Sequence, residues 1–273
     1  MVVIAAVSAV AIWTVILMLF EDRFIYFPSR YPEGLYHSVP RGLHIQDHWF
    51  TTEDGVRLNG WFMPNDSALG TLVVSHGNAG NISHRIDRLI RFKRAGFSVF
   101  LYDYRGYGRS DGSPTEAGIY RDGLAAFDYA SRLPDVDPAR VILFGTSLGS
   151  AVAVDVATRR PAAALVLETP FTSAKDMAGV LYPFLPARYL VRSRFDSEQK
   201  IRSIRIPVLI IHGSEDSVVP IKLGKRLFDA ANQPKEFYEI PGADHNNTFL
   251  IGGIEYESRL RAFAESSLNH PKR

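Results

Sequence analysis

The pentapeptide Gly145-Thr146-Ser147-Leu148-Gly149 follows a largely apolar run, Arg140 to Phe144, and precedes a run of small residues, Ser150 to Val154. This order predicts a buried strand and then a helix that packs closely on a sheet. In that setting a G-x-S-x-G motif places its serine at a strained turn, with the hydroxyl clear of the sheet. Gly145 and Gly149 fit the turn because a side chain at either would collide with the strand or helix beside it. Ser147 is therefore the candidate nucleophile.

A serine nucleophile needs a histidine that accepts its proton and a carboxylate that orients the imidazole. On this kind of turn the chain order is serine, acid, histidine. The histidines that follow Ser147 are His212, His245 and His270. His245 lies in a loop, Pro241 to Asn246, that follows a predicted strand and can return over the sheet. We predict that His245 is the general base.

The acid is predicted to be Asp216, which lies directly beyond the carboxyl end of a predicted strand. Glu168, at the end of the preceding strand, is the rival candidate. Asp244 is too close in sequence to His245 to reach around its imidazole easily, and Glu215 would point away from its neighbour Asp216.

Two backbone N–H groups are expected to bind the oxyanion that forms during acyl transfer. One belongs to Leu148, the residue after the serine. The other is assigned to Asn78, in the loop His76-Gly77-Asn78-Ala79-Gly80-Asn81 that follows another apolar run. His76 precedes the serine and is interpreted as a structural hydrogen-bonding residue.

Apolar runs and helical patterns alternate along most of the chain. Strands are predicted at 71–75, 97–102, 140–144, 163–167, 207–211 and 236–240, helices at 82–95, 115–132 and 254–268, and a hairpin at 44–49 and 56–63. This alternation predicts an α/β fold with a mostly parallel sheet covered on both faces. Only residues 173–204 break the alternation, and they are predicted to form a small cap near the serine.

The N-terminal run Val2 to Phe20 contains no charged residue. As a helix it would be ~28 Å long, about the hydrocarbon thickness of a bilayer. A cleaved signal peptide is the alternative, but no Lys or Arg precedes the run, which is also longer than a usual signal core. We predict a single transmembrane anchor at 1–22 and a catalytic domain at 23–273. Arg23 and Arg30 follow the run and favour a cytosolic position for that domain.

The composition excludes several classes of function. A net charge of +2, from 31 Lys and Arg against 29 Asp and Glu, argues against a nucleic-acid partner. The absence of cysteine excludes disulfides, thiolate zinc sites and a cysteine nucleophile. His44 and His48 fall on a predicted strand as ordinary surface residues, so no metal site and no cofactor are predicted.

Five motifs occur in a fixed order along the chain. They are His76-Gly77-Asn78-Ala79-Gly80-Asn81; Asp103-Tyr104-Arg105-Gly106-Tyr107-Gly108 with Ser110, Gly112 and Pro114; the serine pentapeptide; Arg194-Phe195-Asp196-Ser197; and His212-Gly213-Ser214-Glu215-Asp216 with Val219-Pro220. With them the chain, from Phe24 to Phe263, resembles the α/β-hydrolase superfamily, and within it the membrane-anchored serine hydrolases whose mammalian relatives include protein depalmitoylases.

The resemblance implies an eight-stranded sheet, Ser147 as nucleophile, Asp216 as acid and His245 as base. It also implies structural roles for Asp103 and Arg105. Two features differ from these relatives. Asp244 stands where a small residue is more common, and the N-terminal cysteine cluster of the depalmitoylases is absent, which disfavours protein S-acyl substrates.

These observations predict a serine hydrolase that cleaves carboxylic esters, either lipid-like or short-chain, through an acyl-enzyme on Ser147. A membrane tether favours substrates that partition into a bilayer, such as monoacylglycerols or lysophospholipids. A thioesterase or peptidase would use the same three residues and differ in pocket shape. A non-catalytic membrane scaffold on a hydrolase fold is the other alternative, and the ordered set of serine, acid and histidine argues against it.

Overall fold

The computed structural model of the protein describes residues 12, 13, 15, 20–40, 42–184 and 186–269. Most of the predicted membrane anchor at 1–22 lies outside these residues, and so does His270. Within the described residues no helix combines the length and the apolar character needed to cross a bilayer.

The predicted alternation of strands and helices is confirmed. The strands are β1 Phe27–Pro28, β2 Gln46–Thr51, β3 Arg57–Met63, β4 Gly70–Ser75, β5 Ala79–Gly80, β6 Phe97–Tyr102, β7 Val141–Thr146, β8 Ala164–Glu168, β9 Val208–Gly213 and β10 Lys235–Ile240. The helices are α1 Glu21–Ile25, α2 Ile86–Arg94, α3 Glu116–Ala130, α4 Leu148–Ala157, α5 Ala174–Leu181, α6 Ala187–Leu190, α7 Ser197–Ile201, α8 Ile221–Ala230 and α9 Thr248–Asn269. Helix α9 contains a break at Gly253, where φ is 52°.

Eight strands form one sheet in the order β10-β9-β8-β7-β4-β6-β3-β2. The six strands from β10 to β6 are parallel to their neighbours, whereas β3 is antiparallel to both β6 and β2. From β4 the chain passes first to β6 on one side and then to β7 on the other. The carboxyl ends of β4 and β7 therefore border the crevice where ligands bind in open parallel sheets.

Two apolar cores cover the faces of the sheet. On one face α3, α4 and α8 bury residues such as Phe127, Val152 and Leu227. On the other face α2 and α9 bury Leu89, Phe92 and Leu260. The central strands β4, β6 and β7 are almost wholly buried between them, which explains why they appear in the sequence as nearly continuous apolar runs.

The interval 173–204 folds as three short helices, α5, α6 and α7, between β8 and β9. Helix α1 lies beside this interval. The Glu21 carboxylate of α1 accepts hydrogen bonds from the backbone N–H groups of Arg192 and Ser193, at 2.9 and 2.7 Å. After α1 the chain forms a second, two-stranded sheet in which β1 pairs with β5 in parallel. Sequence reasoning did not predict this small sheet.

Candidate active site

The serine motif forms a tight turn between β7 and α4. Ser147 has φ 52° and ψ −117°, a conformation that non-glycine residues rarely adopt and that is often retained at functional sites. A Cβ on Gly145 would overlap the Gly149 carbonyl oxygen, and a Cβ on Gly149 would overlap the Ser75 carbonyl oxygen. Both positions therefore require glycine, as the motif predicts.

Ser147, His245 and Asp216 are brought together in one line of hydrogen bonds. His245 Nε2 lies 3.0 Å from Ser147 Oγ, and His245 Nδ1 lies 2.8 Å from Asp216 Oδ2. Because the carboxylate can only accept, Nδ1 carries the proton and Nε2 of the neutral ring is free to accept the serine proton. This is the geometry that base-assisted nucleophilic attack requires.

Asp216 is held as a carboxylate by several donors. Its Oδ1 accepts from the backbone N–H groups of Val218 and Val219, at 2.9 and 2.7 Å, and His212 Nε2 lies 3.3 Å from its Oδ2. Burial alone would raise the pKa of Asp216, but the hydrogen bonds from His212, His245 and the Val219 backbone bring it well below the usual range. Asp216 is therefore ionised at neutral pH.

The two predicted oxyanion donors border the same turn. Leu148 is the first residue of α4, so its N–H has no acceptor within the helix. Among the hydrogen bonds of the described residues, none uses the Asn78 N–H. Tyrosine hydroxyls fix the Asn78 loop: Tyr104 donates to the His76 carbonyl and Tyr107 to the Asn78 carbonyl, each at 2.7 Å.

The rival residues occupy other positions. Glu168 is fully buried and accepts hydrogen bonds from Thr146, Thr248 and Tyr256 rather than from His245. It also forms an ion pair with Arg88 of α2.

Two further histidines lie close to the site, His212 on β9 and His76 in the loop 76–81. His212 is buried, with Nε2 2.9 Å from the Val219 carbonyl oxygen, and so supports the acid loop instead of the serine. His76 Nδ1 lies 2.6 Å from the Gly77 carbonyl oxygen and Nε2 lies 3.5 Å from Asp103 Oδ1, consistent with a structural role.

Asp244 has a role that sequence reasoning missed. Its Oδ1 accepts from the Ser217 N–H, the Ser217 hydroxyl and the His245 N–H, at 2.8, 2.9 and 2.7 Å. Asp244 therefore ties the loop that carries Asp216 to the loop that carries His245. The sequence did contain a signal for this role, because Asp244 stands where a small residue is more common.

A cavity of about 660 Å³ opens beside Ser147 and His245. Most of its wall is apolar, which suits the acyl part of a substrate. Apolar wall residues contributed by α1 and the cap include Phe24, Ile25, Met177, Ala178, Leu190 and Val191. In the part of the chain that the structure describes, no cluster of His, Asp and Glu side chains could hold a metal ion.

The chain is similar to several known proteins. A family model described as serine aminopeptidase, S33, matches residues 66–197. An uncharacterized protein of Mycobacterium tuberculosis strain H37Rv is 42% identical over 265 residues, which cover 96% of this chain and 93% of that protein. The Arabidopsis thaliana alpha/beta hydrolase domain-containing protein WAV2 is 36% identical over 276 residues, covering 92% of this chain and 89% of WAV2.

Among solved structures, the Pyrococcus furiosus esterase Pf2001 is similar in fold. Its TM-score is 0.73 and its sequence identity 22%, with 89% of this chain and 98% of that chain covered. At that identity the similarity concerns the fold alone.

Proposed function

The chain belongs to the α/β-hydrolase family, and from that membership we propose that it is a serine hydrolase that cleaves carboxylic esters through an acyl-enzyme on Ser147. The observation that carries this proposal is the hydrogen-bond line from Ser147 Oγ through His245 to Asp216, with distances of 3.0 and 2.8 Å. The apolar cavity beside the serine supports an ester with an apolar acyl group.

In the proposed reaction Ser147 Oγ attacks the ester carbonyl carbon while His245 Nε2 takes the hydroxyl proton. The N–H groups of Asn78 and Leu148 stabilise the oxyanion, each by about 3–4 kcal/mol in the transition state. The imidazolium then gives its proton to the leaving alcohol oxygen as the carbon–oxygen bond breaks. Water attacks the acyl-enzyme in the same way, with His245 as base, and releases the acid and free Ser147.

The test is labelling of the purified protein with a fluorophosphonate, beside the Ser147→Ala and His245→Ala variants. We expect the wild type to label and both variants to lose labelling, and we expect turnover of p-nitrophenyl esters to peak at one acyl chain length. A wild type that is folded but neither labels nor hydrolyses any ester would overturn the proposal and favour the scaffold alternative.

A thioesterase or peptidase would use the same residues, so the same preparation should be assayed on acyl-coenzyme A and on aminoacyl p-nitroanilides. We expect kcat/KM to be highest for the oxygen esters. A higher value for either of the other substrates would reassign the reaction within the same mechanism.

We also propose, from the sequence, that residues 1–22 anchor a catalytic domain at 23–273 in the membrane, with that domain on the cytosolic side. Extraction of membranes with alkaline carbonate tests the anchor, because an integral protein stays in the pellet. Protease treatment of sealed vesicles tests the orientation.

A further inference from the structure

The cavity beside Ser147 has two walls of different chemistry. The wall formed by α1 and the cap is apolar and continuous with the core that contains α3 and α4. The opposite wall comes from α2 and the residues before it, and contains His84, Arg85 and Arg88 above the other core. A substrate on Ser147 can therefore extend an apolar part to one side and a polar part to the other.

Four arginines follow one another at intervals of three residues, the first directly before α2 and the other three within it. Arg88 pairs with Glu168, and both Arg91 and Arg94 pair with Glu257. Arg85 forms no ion pair with a carboxylate of the described chain. Its Nη2 donates only to the backbone carbonyl of Ala79, at 2.5 Å.

Arg85 is half-buried on the cavity wall. Burial, together with the neighbouring Arg88 guanidinium, lowers the pKa of Arg85. The carboxylates of Asp103 and Glu168 act in the opposite direction but do not outweigh burial and Arg88. A cation that is partly removed from water without a paired carboxylate is costly, and an anionic ligand would offset that cost. The planar guanidinium presents paired N–H donors that match a carboxylate or a phosphate.

His84 supplies a second donor on the same wall. Its Nδ1 accepts the Asn81 N–H at 3.2 Å, so the proton of the neutral ring lies on Nε2. Asp87 also lines the cavity, and His84 and Asp87 are both exposed, so water and salt weaken the donor of one and screen the charge of the other.

The position of His245 indicates which part of an ester would meet Arg85. The imidazole must give its proton to the leaving-group oxygen, so the alcohol lies on the side of His245. Phe249, four residues later, packs on Arg88 with 4.4 Å between the ring centroid and the guanidinium carbon. The α2 wall thus adjoins the alcohol, and the acyl chain takes the apolar wall, where a charge would be poorly solvated.

We propose that Arg85 binds an anionic group, a phosphate or a carboxylate, carried by the alcohol part of the ester. This inference rests on the proposed function, and it narrows the substrate class to esters that carry an anionic group on the alcohol part and whose acyl chain lies under the cap.

The test compares 1-lauroylglycerol with 1-lauroylglycerol 3-phosphate, two esters that differ only in the anionic group. We expect Arg85→Gln to raise KM for the phosphate ester at least tenfold and to leave KM for the neutral ester within twofold. Arg85→Lys should restore part of the loss, because it keeps the charge but not the paired donors. Arg94→Gln is the matched control, since Arg94 is paired with Glu257 and lies off the cavity wall.

Binding to the Ser147→Ala protein, measured by calorimetry, separates this inference from the proposed function. If no ester is hydrolysed but the phosphate ester binds and Arg85→Gln weakens that binding, the anion site stands and the hydrolase proposal fails. If Arg85→Gln lowers kcat equally for both esters, Arg85 only holds the Ala79 carbonyl and the inference is overturned. The inference is also overturned if the Ser147→Ala protein binds the two esters with equal affinity and the addition of Arg85→Gln changes neither affinity.

Discussion

The side-chain amide of Asn78 donates a hydrogen bond of 2.7 Å to the backbone carbonyl of Ile25. The Phe27 N–H returns a bond to the Asn78 carbonyl at 3.2 Å, and the Ser29 N–H bonds the Gly80 carbonyl at 3.1 Å. The segment that follows the apolar N-terminal run therefore supports the loop proposed to bind the oxyanion. We therefore expect its conformation to affect the proposed reaction.

We predict that Asn78→Ala lowers kcat about tenfold with little change in KM. The variant keeps the Asn78 N–H but loses the bond that fixes it, so the loss should be smaller than the 10²–10³-fold expected when a donor is removed. Steady-state kinetics on the best p-nitrophenyl ester measures the effect. Asn232→Ala is the control, because it removes comparable bonds to the Arg202 and Ile204 carbonyls far from the serine. Equal effects of the two variants would contradict the prediction.

Asp244 gives a second prediction. Asp244→Ala should lower kcat/KM about tenfold, since it releases the loop of His245 from Ser217. Asp244→Asn keeps a carbonyl oxygen in place of Oδ1 and should retain most of the activity, with an unchanged pH–rate profile. A profile displaced in Asp244→Asn would show that the charge of Asp244 acts on the reaction.

The sequence predicted the fold correctly wherever the residues of a single segment are enough to determine its local structure. β4, β6 and β7 are buried on both faces and so had to be continuous apolar runs, and Ser147 could be found because its strained turn requires Gly145 and Gly149. The order of motifs then indicated His245 and Asp216 as partners.

Contacts between distant segments could not be found in this way. Asn78 and Ile25 lie 53 positions apart, and the two-residue pairing of β1 with β5 has no periodicity to detect. Helix α8 was also missed. Its Gly224 lowers helix propensity, yet a Cβ there would overlap His212 Nδ1, so the packing requires the glycine.

The buried pair of Arg88 and Glu168 gives a prediction for stability. Glu168→Gln leaves Arg88 without its counterion and should lower the free energy of unfolding by about 3 kcal/mol at pH 7. Urea denaturation followed by circular dichroism measures this. The control is Glu239→Gln, which breaks the exposed pair with Lys225 and should cost less than about 1 kcal/mol.

The same pair should make the stability depend on pH. Burial alone would raise the pKa of Glu168, but Arg88 and the Thr248 hydroxyl bring it below the usual range. A carboxyl whose pKa is lowered by folding stabilises the fold above its unfolded pKa of about 4.3 and loses that effect as the pH falls further. The difference between wild type and Glu168→Gln should therefore be constant near neutral pH and shrink below about pH 4. A difference that stays constant into acid would contradict the ion-pair explanation.

The contact of Glu21 with the cap gives the last prediction. The Glu21 carboxylate accepts from the backbone of Arg192 and Ser193, and its helix places Phe24 and Ile25 on the cavity wall that α1 shares with the cap. Glu21→Ala should loosen that wall and raise KM for long-chain esters about tenfold, equivalent to about 1.4 kcal/mol of binding. Short esters do not reach the wall and should keep their KM.

Substitution of the neighbouring Asp22 by alanine is the matched control, because Asp22 is exposed and carries the same charge. If both variants raised KM equally, loss of negative charge near the cavity would explain the result, whereas an effect confined to Glu21→Ala requires the bond to the cap. An equal increase for short and long esters would point instead to the oxyanion loop, which α1 reaches through β1 and β5.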